Sequence, residues 1–169
     1  MALTSKITAY DPNWPSLYQS EAICLRQAFG PALLEIHHIG STAVTGLAAK
    51  PEIDILILVK DSDAAENMTP ALVDLGYRRG GDLSAGHSFF KRDVDGVRTH
   101  KLHLCLAGHA KAIEMLKFRD HLRQDNEVRD AYGRLKLQLE QENTKGISEY
   151  LGARSPISSA SLTGFSPDA

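Results

Sequence analysis

Glu52-Ile53-Asp54-Ile55 sets two carboxylates into a run of β-branched and leucine residues that continues to Val59. On a strand, residues two apart share a face, so Glu52 and Asp54 project together while Ile53 and Ile55 project oppositely. Like charges held close in a partly buried place repel, and a cation, a basic side chain or a proton has to offset them. A divalent metal is one such solution, and Mg²⁺ in particular takes carboxylate oxygens together with water and substrate phosphate. That chemistry makes Glu52 and Asp54 candidate metal ligands and candidate catalytic residues. The alternative is structural: Glu52, beside Pro51, lies at the exposed start of the strand, and Asp54 caps a turn or pairs with Lys50.

Ten residues upstream of this pair lies Gly40-Ser41, at the end of another apolar run. A loop opening there offers backbone N–H groups and a hydroxyl to an anion, and a glycine lets a phosphate approach closely. Lys50 and Arg98 are candidate phosphate contacts, the guanidinium as a bidentate partner and the ammonium as a point charge. Arg92 is a further one, and for each of these a solvated surface cation is the competing reading. In the later strand Leu102, Leu104 and Leu106 share one face, leaving Lys101, His103 and Cys105 on the other. His103 is therefore a candidate metal ligand or phosphate contact, against a histidine hydrogen-bonded within the sheet; imidazole suits Zn²⁺ or Mn²⁺ better than Mg²⁺. His37 and His38 point to opposite faces, so at most one of them reaches the site.

The elements that must position these residues follow from periodicity. Leu17, Tyr18, Glu21, Ala22, Leu25, Ala28 and Phe29 recur at helical steps and stop at Gly30-Pro31, which predicts a helix over about 15–29. A short strand is expected over 6–10. Leu33 to Ile39 alternates as a strand, and Ile53 to Val59 reads as a strand covered on both faces. Residues 61–76 read as helical with a break near Thr69-Pro70, and 77–84, rich in Gly and Arg, as irregular. His87–Asp93 and Val97–Leu106 are expected to form a hairpin through Asp95-Gly96. Two helices follow, separated before Asp125, which is placed to cap the second. Arg119, Arg123 and Arg129 are expected on their charged outer face.

At 169 residues the chain suits one hydrophobic core. Its formal charge of −2, with 43% hydrophobic and 24% charged residues, gives no bulk basicity for sequence-independent nucleic-acid binding. Any phosphate must be held locally. Cys24 and Cys105 are the only cysteines and stand far apart, which indicates neither a disulfide framework nor a thiolate zinc site. No signal peptide and no membrane-length apolar run is evident, so a cytoplasmic protein without membrane partners is expected. Residues 1–154 form the expected domain, and the Ser-rich 155–169 a flexible tail.

A strand ending in Gly-Ser, ten residues, then acidic-apolar-acidic-apolar resembles the signature of the nucleotidyltransferase superfamily. That resemblance implies an α/β (α+β) fold with a mixed sheet flanked by helices and a helical C-terminal portion, a Gly-Ser phosphate site and metal-bound carboxylates. HIGSTAVTGLAAKPEIDILI, with YDPNWPSLY before it and RTHKLHL and FRDHLR after it, is similar to the GrpB family over roughly residues 7–154. The chain departs from that family's usual pattern at Thr45 (usually Pro), Glu52 (usually apolar) and Lys101 (usually His), and a third acidic residue is not evident. Joined to the residue reading above, the resemblance leads to the expectation of a protein that binds a nucleotide, or another phosphorylated small molecule, through Gly40, Ser41, Lys50 and Arg98. Mg²⁺, or Mn²⁺, is then held by Glu52, Asp54 and His103, and a nucleotidyl group passes to an acceptor. The alternative it implies is a non-catalytic module that binds a nucleotide or coenzyme A precursor, linked to dephospho-CoA kinase, to which relatives occur fused.

Overall fold

The structure, a computed structural model, describes residues 5–142. The expected tail at 155–169 and the end of the expected domain, 143–154, lie outside the described residues. Five strands form one mixed sheet: β1 (Leu33–Ile39), β2 (Ile53–Val59), β3 (Arg78–Ser84), β4 (His87–Val94) and β5 (Val97–Leu106), in the spatial order β1-β2-β5-β4-β3. β2 and β5 run parallel, and every other neighbouring pair is antiparallel. The helices are α1 (Trp14–Phe29), α2 (Ala64–Asp74), α3 (Ala110–Gln124) and α4 (Asn126–Glu142). None of the described helices is long and apolar enough to cross a membrane.

The unbroken apolar run of β2 reflects burial on both sides. Ile53, Ile55, Ile57 and Val59 pack with Trp14, Tyr18, Ala22, Leu25 and Phe29 of α1 and with Ala64, Ala65 and Leu72 of α2. On the opposite face Leu56 and Leu58 join Ile39, Cys105 and Ala112, with Met115 and Leu116 of α3 against them. A third cluster, Val44, Leu47, Leu122 and Tyr132, holds the β1–β2 connection against α3 and α4. The expected helix, strand and hairpin bounds for α1, β1, β2 and β5 agree with those observed, and Asp95 and Gly96 both adopt positive φ, at 52° and 79°. Asp125 accepts from the N–H groups of Glu127 (3.0 Å) and Val128 (3.1 Å), capping α4 as expected.

Three expectations are corrected. Residues 6–10 form no strand, only a single bridge between Thr8 and Ala49. α2 runs unbroken through Pro70: Pro70 and Glu66 are exposed, so the Glu66 carbonyl deprived of its helical partner is left to solvent rather than buried. Residues 78–84 form β3, an edge strand paired on one side and interrupted by two register shifts. Its exposed, polar residues carry no alternating pattern to betray it.

Candidate functional site

The parallel register of β2 and β5 sets Asp54 directly beside Lys101, and His103 beside Leu56. The ε-ammonium of Lys101 therefore reaches both acids, at 3.1 Å from Glu52 Oε2 and 3.4 Å from Asp54 Oδ1. Glu52 is 6% exposed, so the pair is partly withdrawn from water. The Asp54 charge, with burial opposing it and Glu52 adding to it, holds the Lys101 pKa above the ordinary lysine range. Glu52 Oε1 and Asp54 Oδ1 are buried and make no hydrogen bond among the described residues; for Asp54 Oδ1 the only approach is the longer ion-pair contact to Lys101.

Gly40 closes one side. It has φ +74° and ψ −174°, a region open only to glycine, and a Cβ there would lie 2.3 Å from Asp54 Oδ2. The backbone thus lies flat against the carboxylate, and residues 41–43 turn back at once in a 3-10 turn. Thr42 in that turn donates its hydroxyl proton to the Glu52 carbonyl (3.1 Å) and so accepts from His38 Nε2 (3.0 Å). His38 is stacked on Tyr18, with ring centroids 4.7 Å apart. Burial, with Arg123 and Arg119 adding to it, pushes the His38 pKa down to about 4.

Gly40, Ser41, Thr42, Lys50, Glu52, Asp54 and Lys101 line one cavity of about 110 Å³, which Lys136 and Phe118 complete from the helical layer. Lys136, 2% exposed, donates to Ser41 Oγ and to the Ala48 carbonyl, each at 2.7 Å. The sequence reading missed it, although a signal was available: it lies four residues after Tyr132 on the face of α4 that is otherwise apolar. The three arginines expected on an outer face instead reach back to carbonyls at the end of β1 and in the β1–β2 connection. Arg119 donates to His38 (3.1 Å), Arg123 to Ala43 (2.9 Å) and Arg129 to Thr45 (3.4 Å). They fasten the β1–β2 connection to α3 and α4.

The structure brings Gly40, Ser41, Lys50, Glu52 and Asp54 together and leaves His103 and Arg98 apart. His103 Nδ1 is hydrogen-bonded to His87 Nε2 at 2.8 Å, and burial, reinforced by His87 and Lys101, pushes its pKa down to about 3. Arg98 is ion-paired with Asp93 near the β4–β5 turn. Arg92 is bound to Glu21 beneath α1, at 2.9 Å from each of its oxygens.

These residues do not fit a divalent-ion centre. Mg²⁺ needs near-octahedral oxygens at roughly 2.0–2.1 Å, and the Lys101 ammonium already occupies the approach to both acids. Among the described residues no group of three His, Cys, Asp or Glu side chains is placed to hold a metal. Lys50, Lys101 and Lys136 line the cavity together with Glu52 and Asp54. The departures at Glu52 and Lys101 from the GrpB pattern turn out to be partners, 3.1 Å apart.

A mixed sheet with this loop and acidic strand defines a nucleotidyltransferase-like fold. The chain aligns structurally with the crystal structure of the Cid1 poly(U) polymerase with MgGTP bound at a TM-score of 0.56 and 15% identity, over 79% of this chain and 44% of that one. That likeness is one of fold alone. The family model described as "GrpB protein" matches residues 4–163, and the chain belongs to the GrpB family. The crystal structure of GrpB from Enterococcus faecalis is similar at a TM-score of 0.84 and 30% identity, covering 94% of this chain and 98% of that one. UPF0157 protein BH1888 of Halalkalibacterium halodurans is 39% identical over 88% of this chain and 75% of its own length. A protein named dephospho-CoA kinase in Mycolicibacterium paratuberculosis is 29% identical over 86% of this chain, which spans only 42% of that protein.

Proposed function

We propose that this chain binds a phosphorylated small molecule, of the nucleotide or coenzyme A precursor class, in the cavity between the Gly40-Ser41 loop and the Glu52-Asp54 strand, as an accessory module that transfers no nucleotidyl group itself. The observation that carries this reading is the joint lining of one cavity by Lys50, Lys101, Lys136 and Ser41, with both acids already drawn to an internal ammonium. Lysines offer point charges and N–H donors to phosphate oxygens. A nucleotidyl transfer of the expected kind needs carboxylates that hold metal, and these hold Lys101. The cavity, about 110 Å³, suits the phosphoryl end of such a ligand and not the whole of it. The partial match to a protein named dephospho-CoA kinase supports a partner that handles coenzyme A precursors.

Calorimetric titration with ATP, ADP, dephospho-coenzyme A and adenosine tests this. The phosphorylated compounds bind, adenosine does not, and Lys136→Met weakens binding. Adenosine binding as tightly as ADP overturns the phosphate reading. Mg²⁺-dependent consumption of a nucleoside triphosphate that Asp54→Ala abolishes overturns the non-catalytic reading and restores the transferase.

A further inference from the structure

We propose that Lys101 is the resident cation of this site: its ammonium fills the place between Glu52 and Asp54 that a divalent ion needs, so the cavity accepts a phosphoryl group as the free anion and not as its metal complex. The free-anion part rests on the phosphate-binding reading above; the resident-cation part stands on the geometry of Lys101.

Two observations and one physical argument carry it. The Lys101 ammonium is 3.1 Å from one acid and 3.4 Å from the other, so it stands against both carboxylates at once. Its place is set by the sheet, since Asp54 and Lys101 are register partners on adjacent parallel strands. A tethered cation competes at an effective concentration in the range of about millimolar or more, set by covalent attachment and not by supply. An incoming ion must therefore displace it continuously.

The arrangement also gives Lys101 a use beyond neutralisation. An ammonium has three N–H donors against two ion-pair contacts, and the side chain, 32% exposed, lines the cavity with an N–H donor to spare. A phosphoryl oxygen entering beside Ser41 meets that donor directly. The same ligand arriving with Mg²⁺ brings a second cation into a place already filled, so excess Mg²⁺ withdraws the anion from the protein.

Two arms test the proposal on the full chain. In the first, without nucleotide, Mn²⁺ is titrated and free Mn²⁺ followed by electron paramagnetic resonance. Wild type leaves Mn²⁺ free, Lys101→Met binds it at least tenfold more tightly, and Lys101→Met combined with Glu52→Gln returns to the wild-type curve. Lys101→Gln repeats the comparison should the methionine variant lose its circular dichroism signature. Wild type binding Mn²⁺ within threefold of both lysine variants, or neither variant gaining affinity, overturns the resident cation. In the second arm inorganic pyrophosphate is titrated in EDTA and again with excess Mg²⁺. Binding in EDTA that weakens at least fivefold with Mg²⁺ is expected, and binding that requires Mg²⁺ overturns the free-anion part. Pyrophosphate failing under both conditions overturns the phosphate-binding reading and the free-anion part together, while the Mn²⁺ arm still decides the role of Lys101.

Discussion

Two groups of charged side chains are buried on opposite faces of the same sheet, and they differ in how completely they are satisfied. Beneath α1, Glu21 receives the Tyr77 hydroxyl at 2.8 Å and both terminal nitrogens of Arg92 at 2.9 Å. Arg92 also donates to the Leu75 carbonyl (3.2 Å) and reaches His100 (3.0 Å), leaving only its Nε without a partner. Across the sheet, Glu52, Asp54 and Lys101 form a smaller cluster in which one oxygen of each acid makes no hydrogen bond among the described residues, and it opens onto a cavity. Unsatisfied buried acceptors are costly. A closed network ties α1 to the sheet, whereas the open one borders a cavity.

That contrast can be broken or sharpened by experiment. The largest effect is expected at the closed network: Glu21→Ala strands the Arg92 guanidinium, and removing one partner of a buried pair costs about 3–5 kcal/mol. Chemical denaturation measures this, and ligand affinity is expected to survive wherever the variant remains folded. A stability loss below about 1 kcal/mol would place Glu21 among weak surface pairs instead.

The next effect is in pH. Burial is the leading cause that lowers the pKa of His38 and His100 to about 4 and of His103 to about 3, from an ordinary value of 6.5. The unfolded chain therefore binds more protons than the folded one as pH falls below 6.5. Stability is full above that value and is lost progressively toward pH 4. Denaturation midpoints at pH 7, 5.5 and 4.5 check this, with a flat profile as the contrary result. Two of these histidines lie on the α1 face and one beside the open cluster, so His100→Phe is expected to flatten only part of the slope.

Gly40→Ala comes third. A side chain is forced into a glycine-only region and against Asp54 Oδ2, which costs about 1–3 kcal/mol in backbone strain and displaces the carboxylate. Loss of phosphate binding at a temperature where the variant is folded separates the site effect from the fold effect. Smallest in energy, Lys136→Met is expected to weaken phosphate binding about tenfold, or roughly 1.4 kcal/mol. The unfolding midpoint of the ligand-free variant, read beside it, shows how much of Lys136 serves the fold.

The sequence was legible where burial leaves a pattern. β1, β2 and β5 carry period-two or continuous apolar runs, the β4–β5 turn carries Asp-Gly, and α4 carries its acidic cap, so their positions follow from local chemistry. β3 was not legible, because an exposed edge strand with shifted register presents no face to the core. The loop and the acids were readable as a pair, since ten intervening residues and a shared strand face are local facts. Lys101 was readable as a neighbour on the correct face of β5, but its partnership with Asp54 depends on a parallel register that no local pattern encodes. Assigning the nearest role on β5 to His103 reflects that gap: it lies two positions further along, paired with His87. Lys136 reaches Ser41 from 95 residues away, and Arg119, Arg123 and Arg129 reach carbonyls 80 or more residues distant. Such contacts belong to tertiary packing, not to spacing.

A crystal of the full chain soaked with ADP in EDTA and then transferred to excess Mg²⁺ is the decisive measurement. Phosphate oxygens are expected beside Ser41, Lys101 and Lys136 before the transfer, and after it a site depleted of ADP, with the Lys101 ammonium still between Glu52 and Asp54 and no ion in its place. A metal ion bridging the two acids, with Lys101 swung aside, would contradict this expectation.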